Sequence, residues 1–138
     1  MKAESNIKPN NYEIENIHKN RCDLILYDNI QEYVAEDETI RYLYDIYRIE
    51  ICYNVDTEKE LSEKYKEYLE TAKKIEFEEL ANEIRNKRDE LLAETDWTQM
   101  QDSPLSEEKI EKYKKYRQAL RDIPEQKEFP FNVVFPSI

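Results

Sequence analysis

The stretch YRIEICYNVDTEKELSEKYKEYLETA, residues 47–72, changes its repeat at Asp56. Before that point Tyr47, Ile49, Ile51, Tyr53 and Val55 put a large apolar or aromatic side chain at every second position, with Arg48, Glu50, Cys52 and Asn54 between them. Period two in β-branched and aromatic residues predicts a half-buried strand. After it, Leu61, Tyr65, Tyr68, Ala72 and Ile75 follow at three- and four-residue steps, which is one face of an α-helix. Thr57 with Glu60 three residues on reads as a capping box, and Glu58 suits the positive end of the helix. The stripe slips near Phe77 and resumes at Leu80, Ile84 and Leu91. The helix is therefore expected to run to about Glu94, with a bend or a break at the slip.

Towards the C-terminus, Thr95 to Ser103 reads as a loop. Asp102-Ser103-Pro104 reads as a cap with proline in the first turn of a second helix. Leu105, Ile110, Tyr113, Tyr116 and Leu120 form its apolar side, and Arg121 lies in its last turn. Pro124 ends it, because a residue before proline is pushed out of the α region. A short loop between two amphipathic helices predicts that they fold back antiparallel. Beyond them Phe129, Phe131, Val133 and Phe135 alternate between Pro130 and Pro136. The prolines bar this tail from a central strand, so an edge strand or an extended segment in an apolar groove is expected.

Towards the N-terminus, residues 21–56 hold six of the eleven tyrosines, at Tyr27, Tyr33, Tyr42, Tyr44, Tyr47 and Tyr53. Leu24 and Leu26, with Ile30 as an optional third member, alternate weakly as a short strand ending at Asp28-Asn29, and 38–45 reads equally as helix or strand. Residues 1–20 read as a polar arm. The expected fold class is α+β, mostly α: an antiparallel helical hairpin with an extended C-terminal tail, preceded by a small Tyr-rich β-leaning N-terminal region. The expected divisions are 1–20, 21–56 and 57–138.

Composition narrows the function. The net charge is −11, and residues 98–138 carry seven basic and seven acidic side chains, so the whole excess lies before them. An acidic surface repels phosphates and anionic lipid, which argues against nucleic acid or membrane as the primary ligand. No apolar run approaches the ~20 residues needed to span a bilayer, and Met1 to Asn11 lack the apolar core of a signal peptide. Cys22 and Cys52 read as two buried, reduced thiols of a cytosolic protein. Glycine is absent, so glycine-rich phosphate loops are excluded and Asn, Asp and Pro are left to make the turns. His18 is the only histidine. One His and two dispersed Cys do not make a zinc site, and Glu36-Asp37-Glu38 lacks EF-hand spacing. No catalytic residue, metal ligand or cofactor is assigned.

Two groups stand out as contact candidates. Trp97, the single tryptophan, reads either as a plug over the open end of the hairpin or as an interface anchor. Tyr116 and Arg117 open a run dense in hydrogen-bonding groups, with Arg121 one turn on and Arg88 and Asp89 in the other helix. That run reads either as a structural Arg–carboxylate set, with Asp96, or as a partner face. The candidate partner-binding residues are Trp97, Tyr116, Arg117, Phe129, Phe131, Val133 and Phe135. Arg88, Asp89, Asp96, Arg121, Asp122 and Pro124 are the candidate structural motif.

Taken jointly, RDELL from Arg88, TDW from Thr95, YRQALRDIP from Tyr116, Phe129-Pro130 and Phe135-Pro136 resemble the phage tail assembly chaperone-like domain over about residues 85–138. Members of that family usually carry Trp before the last proline and often a Trp in the second helix. Phe135 and a tyrosine such as Tyr113 stand there in this chain. The resemblance implies a non-catalytic protein for phage tail or tail-fibre assembly. Its implied partners are tail, fibre or other virion proteins, with self-association left open, and its place is the host cytoplasm during assembly or the virion. A structural protein that stays in the particle and an acidic inhibitor of a host enzyme are the alternatives.

Overall fold

The computed structural model describes residues 1–138. Four strands come first: β1 (Lys2–Ser5), β2 (Tyr12–His18), β3 (Arg21–Val34) and β4 (Ile40–Cys52). They form one antiparallel sheet in the order β1-β4-β3-β2. Two helices follow, α1 (Thr57–Glu94) and α2 (Glu107–Arg121), with 3-10 turns at Asp96–Gln99 and Ile123–Glu125. The chain divides into two compact units, Met1–Glu76 and Phe77–Ile138, and α1 contributes to both. This corrects the expected fold class. The protein is a four-stranded sheet with two helices, not a mostly α chain with a β-leaning preface.

In the first unit, alternation decides which face is buried. Leu24 and Leu26 of β3 stand opposite Ile49 and Tyr47 of β4 and turn towards α1. Leu61, Leu69 and Ala72 cover them, with Tyr12, Ile14, Ile51, Tyr65 and Tyr68 around the edge. Burial of a leucine of this kind is worth about 1.5–3 kcal/mol, so this seam holds the unit together. Ile25 points the other way and is still buried. Its cross-strand neighbours are Glu13 and Arg48, whose aliphatic stems flank it while their charged ends reach water. Lys73 of α1 reaches Asp28 at 2.7 Å, and that hydrogen bond holds the Asp28 carboxyl below its usual range.

Residues 1–20, expected as a polar arm, supply the two outer strands. The turns are made without glycine. Asn16 and Asn29 sit at φ 49° and 51°, each at a bulge where the pairing register shifts. Each stabilises its left-handed backbone in the same way: Asn16 Nδ2 donates to Asp23 Oδ2 at 2.7 Å, and Asn29 Nδ2 to Asp45 Oδ2 at 2.8 Å. Asparagine tolerates this region better than other non-glycine residues. Lys19 and Glu38 take positive φ as well, without that help. β3 runs on through the Asn29 bulge to Val34, well past the Asp28-Asn29 end expected of it.

α1 is continuous through residues 75–77, where a bend or a break was open. The expected capping box does not form. The Thr57 hydroxyl accepts from Asn54 N at 2.8 Å, and the Asp56 carbonyl accepts from Glu60 N at 2.9 Å. α2 starts later than Pro104. Its cap is Ser106, whose hydroxyl accepts from Lys109 N.

The helical hairpin is also corrected. α2 makes its main backbone approaches to the two 3-10 turns and is not laid back along α1. The tail is neither an edge strand nor a straight segment: after the cis Phe129-Pro130 bond it turns through Phe131 before extending. Gln126 holds it, donating to the Val134 carbonyl at 2.8 Å and accepting from Val134 N at 2.9 Å.

Candidate protein-binding surface

The second unit is organised around Arg117, which is only 7% exposed. Its position on α2 aims the guanidinium at the end of α1. It donates to the Leu92 carbonyl at 2.6 Å, to Thr95 Oγ1 at 2.8 Å and to Asp96 Oδ1 at 2.5 Å. The planar fork of arginine suits three acceptors at a helix end, where carbonyls lack intrahelical partners. Thr98 lies fully buried beneath and donates to the Thr95 carbonyl at 2.6 Å. These bonds pin the 3-10 turn Asp96–Gln99 to both helices.

Trp97 rides on that pinned turn and is 45% exposed. One edge leans on Tyr113, with ring centroids 6.3 Å apart. Met100, whose N–H bonds the Trp97 carbonyl, is 59% exposed beside it. Thr98, not Trp97, fills the interior here. The sequence reading passed over both Thr98 and Met100. A polar residue next to the single Trp gives no period to read, and an isolated Met in a loop looks like surface.

The remaining candidates fall into separate places. Arg88 closes locally on Asp89, Nε to Oδ1 at 2.8 Å, and does not reach across to α2. Asp122 caps α2 and accepts from Gln118 at 2.8 Å. Arg121 is exposed in the last turn of α2, and Pro124 opens the following 3-10 turn. Phe129 and Phe131 meet Phe77 edge-on, at centroid distances of 6.4 and 6.1 Å, and Arg85 lies 5.7 Å over Phe129. Phe131 is nonetheless 63% exposed. Val133 is half-buried, and Lys87 Nζ sits 4.5 Å above the Phe135 ring. Tyr116 lines a shallow cleft with Ala119, Pro136 and Ile138.

The apolar groups left open in this unit are thus Trp97, Met100 and Phe131, together with Val134, Ile138 and part of Phe77. No helix of the chain is long and apolar enough to cross a membrane.

Residues 81–138 match the sequence profile of the phage tail assembly chaperone protein family. This segment is a phage tail assembly chaperone-like domain. The match supports a role in phage tail assembly. The match begins four residues before the stretch that carried the resemblance and takes in Trp97, Arg117 and the folded tail. No curated protein and no solved structure matches the chain.

Proposed function

We propose that the protein acts in tail or tail-fibre assembly as a non-catalytic binding protein, holding a virion protein against the exposed apolar groups of its chaperone-like domain. The observation that carries this reading is Trp97, held open to solvent on a turn that Arg117, Thr95 and Thr98 immobilise. A large aromatic on a rigid support loses little freedom on binding, and such residues dominate interface energies. Phe131 and Val133 extend the contact surface. Phe129 and Phe135 shape it from beneath, through Phe77 and Lys87. Tyr116 contributes from the neighbouring cleft. Arg117 acts as support for Trp97 rather than as a contact, since all three of its bonds are internal. Asp122 and Pro124 mark the end of α2, while Arg88 and Asp89 pair with each other within α1.

The test is copurification from phage-infected cells with the tagged protein and its Trp97→Ala/Met100→Ala variant. The unsubstituted protein is expected to bring down a tail or fibre protein, and the variant is expected to lose it while keeping its helical circular dichroism. A variant that retains the partner refutes the assignment of Trp97. Mass spectrometry of purified particles separates a protein that leaves after assembly from one that stays.

A further inference from the structure

We infer that Gln126 is a positioning residue of the proposed binding surface, resting on the reading that Phe131 and Val133 meet the partner: its side-chain amide closes the loop from Gln126 to Val134 and so fixes where those two side chains are presented. Gln126 Nε2 donates to the Val134 carbonyl at 2.8 Å, and Oε1 accepts from Val134 N at 2.9 Å. Both bonds go to the backbone of one residue, the pairing that a neighbouring strand would offer. Gln126 is itself held. Its N–H donates to the Ile123 carbonyl at 3.1 Å, and its carbonyl accepts from Phe129 N at 3.0 Å. Ile123 is fully buried, so the base of the loop is anchored in the interior. Within the loop, Phe131 N and Asn132 N donate to the Glu128 carbonyl at 2.8 and 3.0 Å, and Asn132 Nδ2 donates to Glu128 Oε2 at 2.6 Å. Those bonds shape the turn but do not join its two ends. Only the Gln126 pair does. Further on, Lys87 lies over the Phe135 ring. A cation over a ring face leaves the preceding backbone free to rotate, whereas two directed bonds to one residue do not. The role demands an amide. Glutamate at this position keeps the acceptor, loses the donor and sets a negative oxygen against the Val134 carbonyl. Once protonated, it again offers one donor and one acceptor. Methionine keeps the stem and loses both bonds.

The experiment compares the full chain with Gln126→Glu and Gln126→Met, each labelled with nitrogen-15. At neutral pH the amide signals of Phe131, Val133 and Val134 are expected to move towards unstructured positions in both variants, while those of the buried Thr98 and Leu120 stay in place. As pH falls, the Val134 signal of Gln126→Glu is expected to return towards its place in the unsubstituted protein. The closed loop favours the protonated carboxyl, so the midpoint lies above the ordinary glutamate value of about 4.3. Gln126→Met shows no such return, and the unsubstituted protein controls for the effect of acid on the fold. Two hydrogen bonds of ordinary net strength shift the balance of closed and open loop roughly tenfold. Copurification of a tail or fibre protein at neutral pH is expected to weaken by up to that factor in both variants. Unmoved loop signals overturn the positioning role, as does a Gln126→Glu signal that does not return in acid. Moved signals with undiminished recovery of the tail or fibre protein overturn the part of this loop in binding and leave Trp97 as the contact. Recovery of no such protein by the unsubstituted chain sinks the proposed function, and the role of Gln126 in it as well.

Discussion

Replacing Arg117 with methionine separates support from contact. Methionine keeps most of the apolar stem and removes the three donated bonds. The acceptors are not orphaned. The Leu92 carbonyl keeps Thr95 N at 3.2 Å, and the Thr95 hydroxyl keeps its one proton on the Leu91 carbonyl at 2.8 Å. The Asp96 side chain is 68% exposed, so losing that ion pair costs under about 1 kcal/mol. Two charge-assisted bonds to neutral acceptors remain to be counted. With their acceptors otherwise satisfied, the expected total loss is about 2 kcal/mol. Asp96→Asn, which touches only the exposed pair, is expected to cost under about 1 kcal/mol. Urea denaturation followed by the fluorescence of Trp97 reads the second unit directly, because the single tryptophan neighbours Asp96. A loss below about 0.5 kcal/mol for Arg117→Met, within the range of ordinary surface changes, would falsify the supporting role. So would an equal loss for Asp96→Asn. If Arg117 were a partner contact instead, the variant would keep its stability and lose only its partner.

Two further outcomes follow from the first unit. Glu38→Gly relieves the φ of 61° at the tip of the β3–β4 hairpin, where Ala35 N bonds the Thr39 carbonyl and Glu38 N the Ala35 carbonyl. A gain of about 1 kcal/mol is expected in denaturation followed by circular dichroism, with none from Glu38→Ala; equal behaviour of the two would show that the backbone there is unstrained. Burial, then the hydrogen bond to Glu13, pushes the Tyr27 hydroxyl up to about 12. The folded state thus favours the neutral phenol. The stability it contributes is whole below the ordinary tyrosine value of about 10 and is lost as pH rises from there through about 12. Ultraviolet titration of the tyrosinates, compared with Tyr27→Phe, is expected to lose its latest-titrating component in the variant; an unchanged curve would refute the assignment.

The two helices were legible because their apolar positions repeat over many turns, and β4 was legible because aromatic and β-branched residues alternate along it. β1 and β2 were not. They lie at the sheet's margins and bury one side at most: Lys2–Ser5 holds no large apolar residue, and Tyr12 and Ile14 are the only half-buried residues in β2. Such strands exist because β3 and β4 have hydrogen-bonding edges to offer, which no local pattern reveals. The hairpin was inferred from two amphipathic stripes and a short loop. That inference failed because the stripe of α1 has another partner: Leu61, Leu69 and Ala72 face Leu24 and Leu26 of the sheet. In the second unit, motif and composition marked Trp97 and Arg117 together. Only geometry separates them, one turned outward and the other consumed by three internal bonds. The pairing of Gln126 with Val134, eight residues on, had no sequence signal at all.

The two bulges bear on how the protein ages. Asparagine in a flexible backbone slowly loses its amide and becomes an acid, fastest when glycine follows. Here Ile17 and Ile30 follow Asn16 and Asn29, and their branched side chains hinder the backbone nitrogen that would attack. The protection matters because each amide faces a carboxylate, Asp23 or Asp45, within hydrogen-bond distance. Conversion of either asparagine would set two negative charges against each other across paired strands, which is destabilising. A chain without glycine thus keeps two of its left-handed residues, Asn16 and Asn29, where one slow chemical event would reverse their effect, and shields both with the next residue.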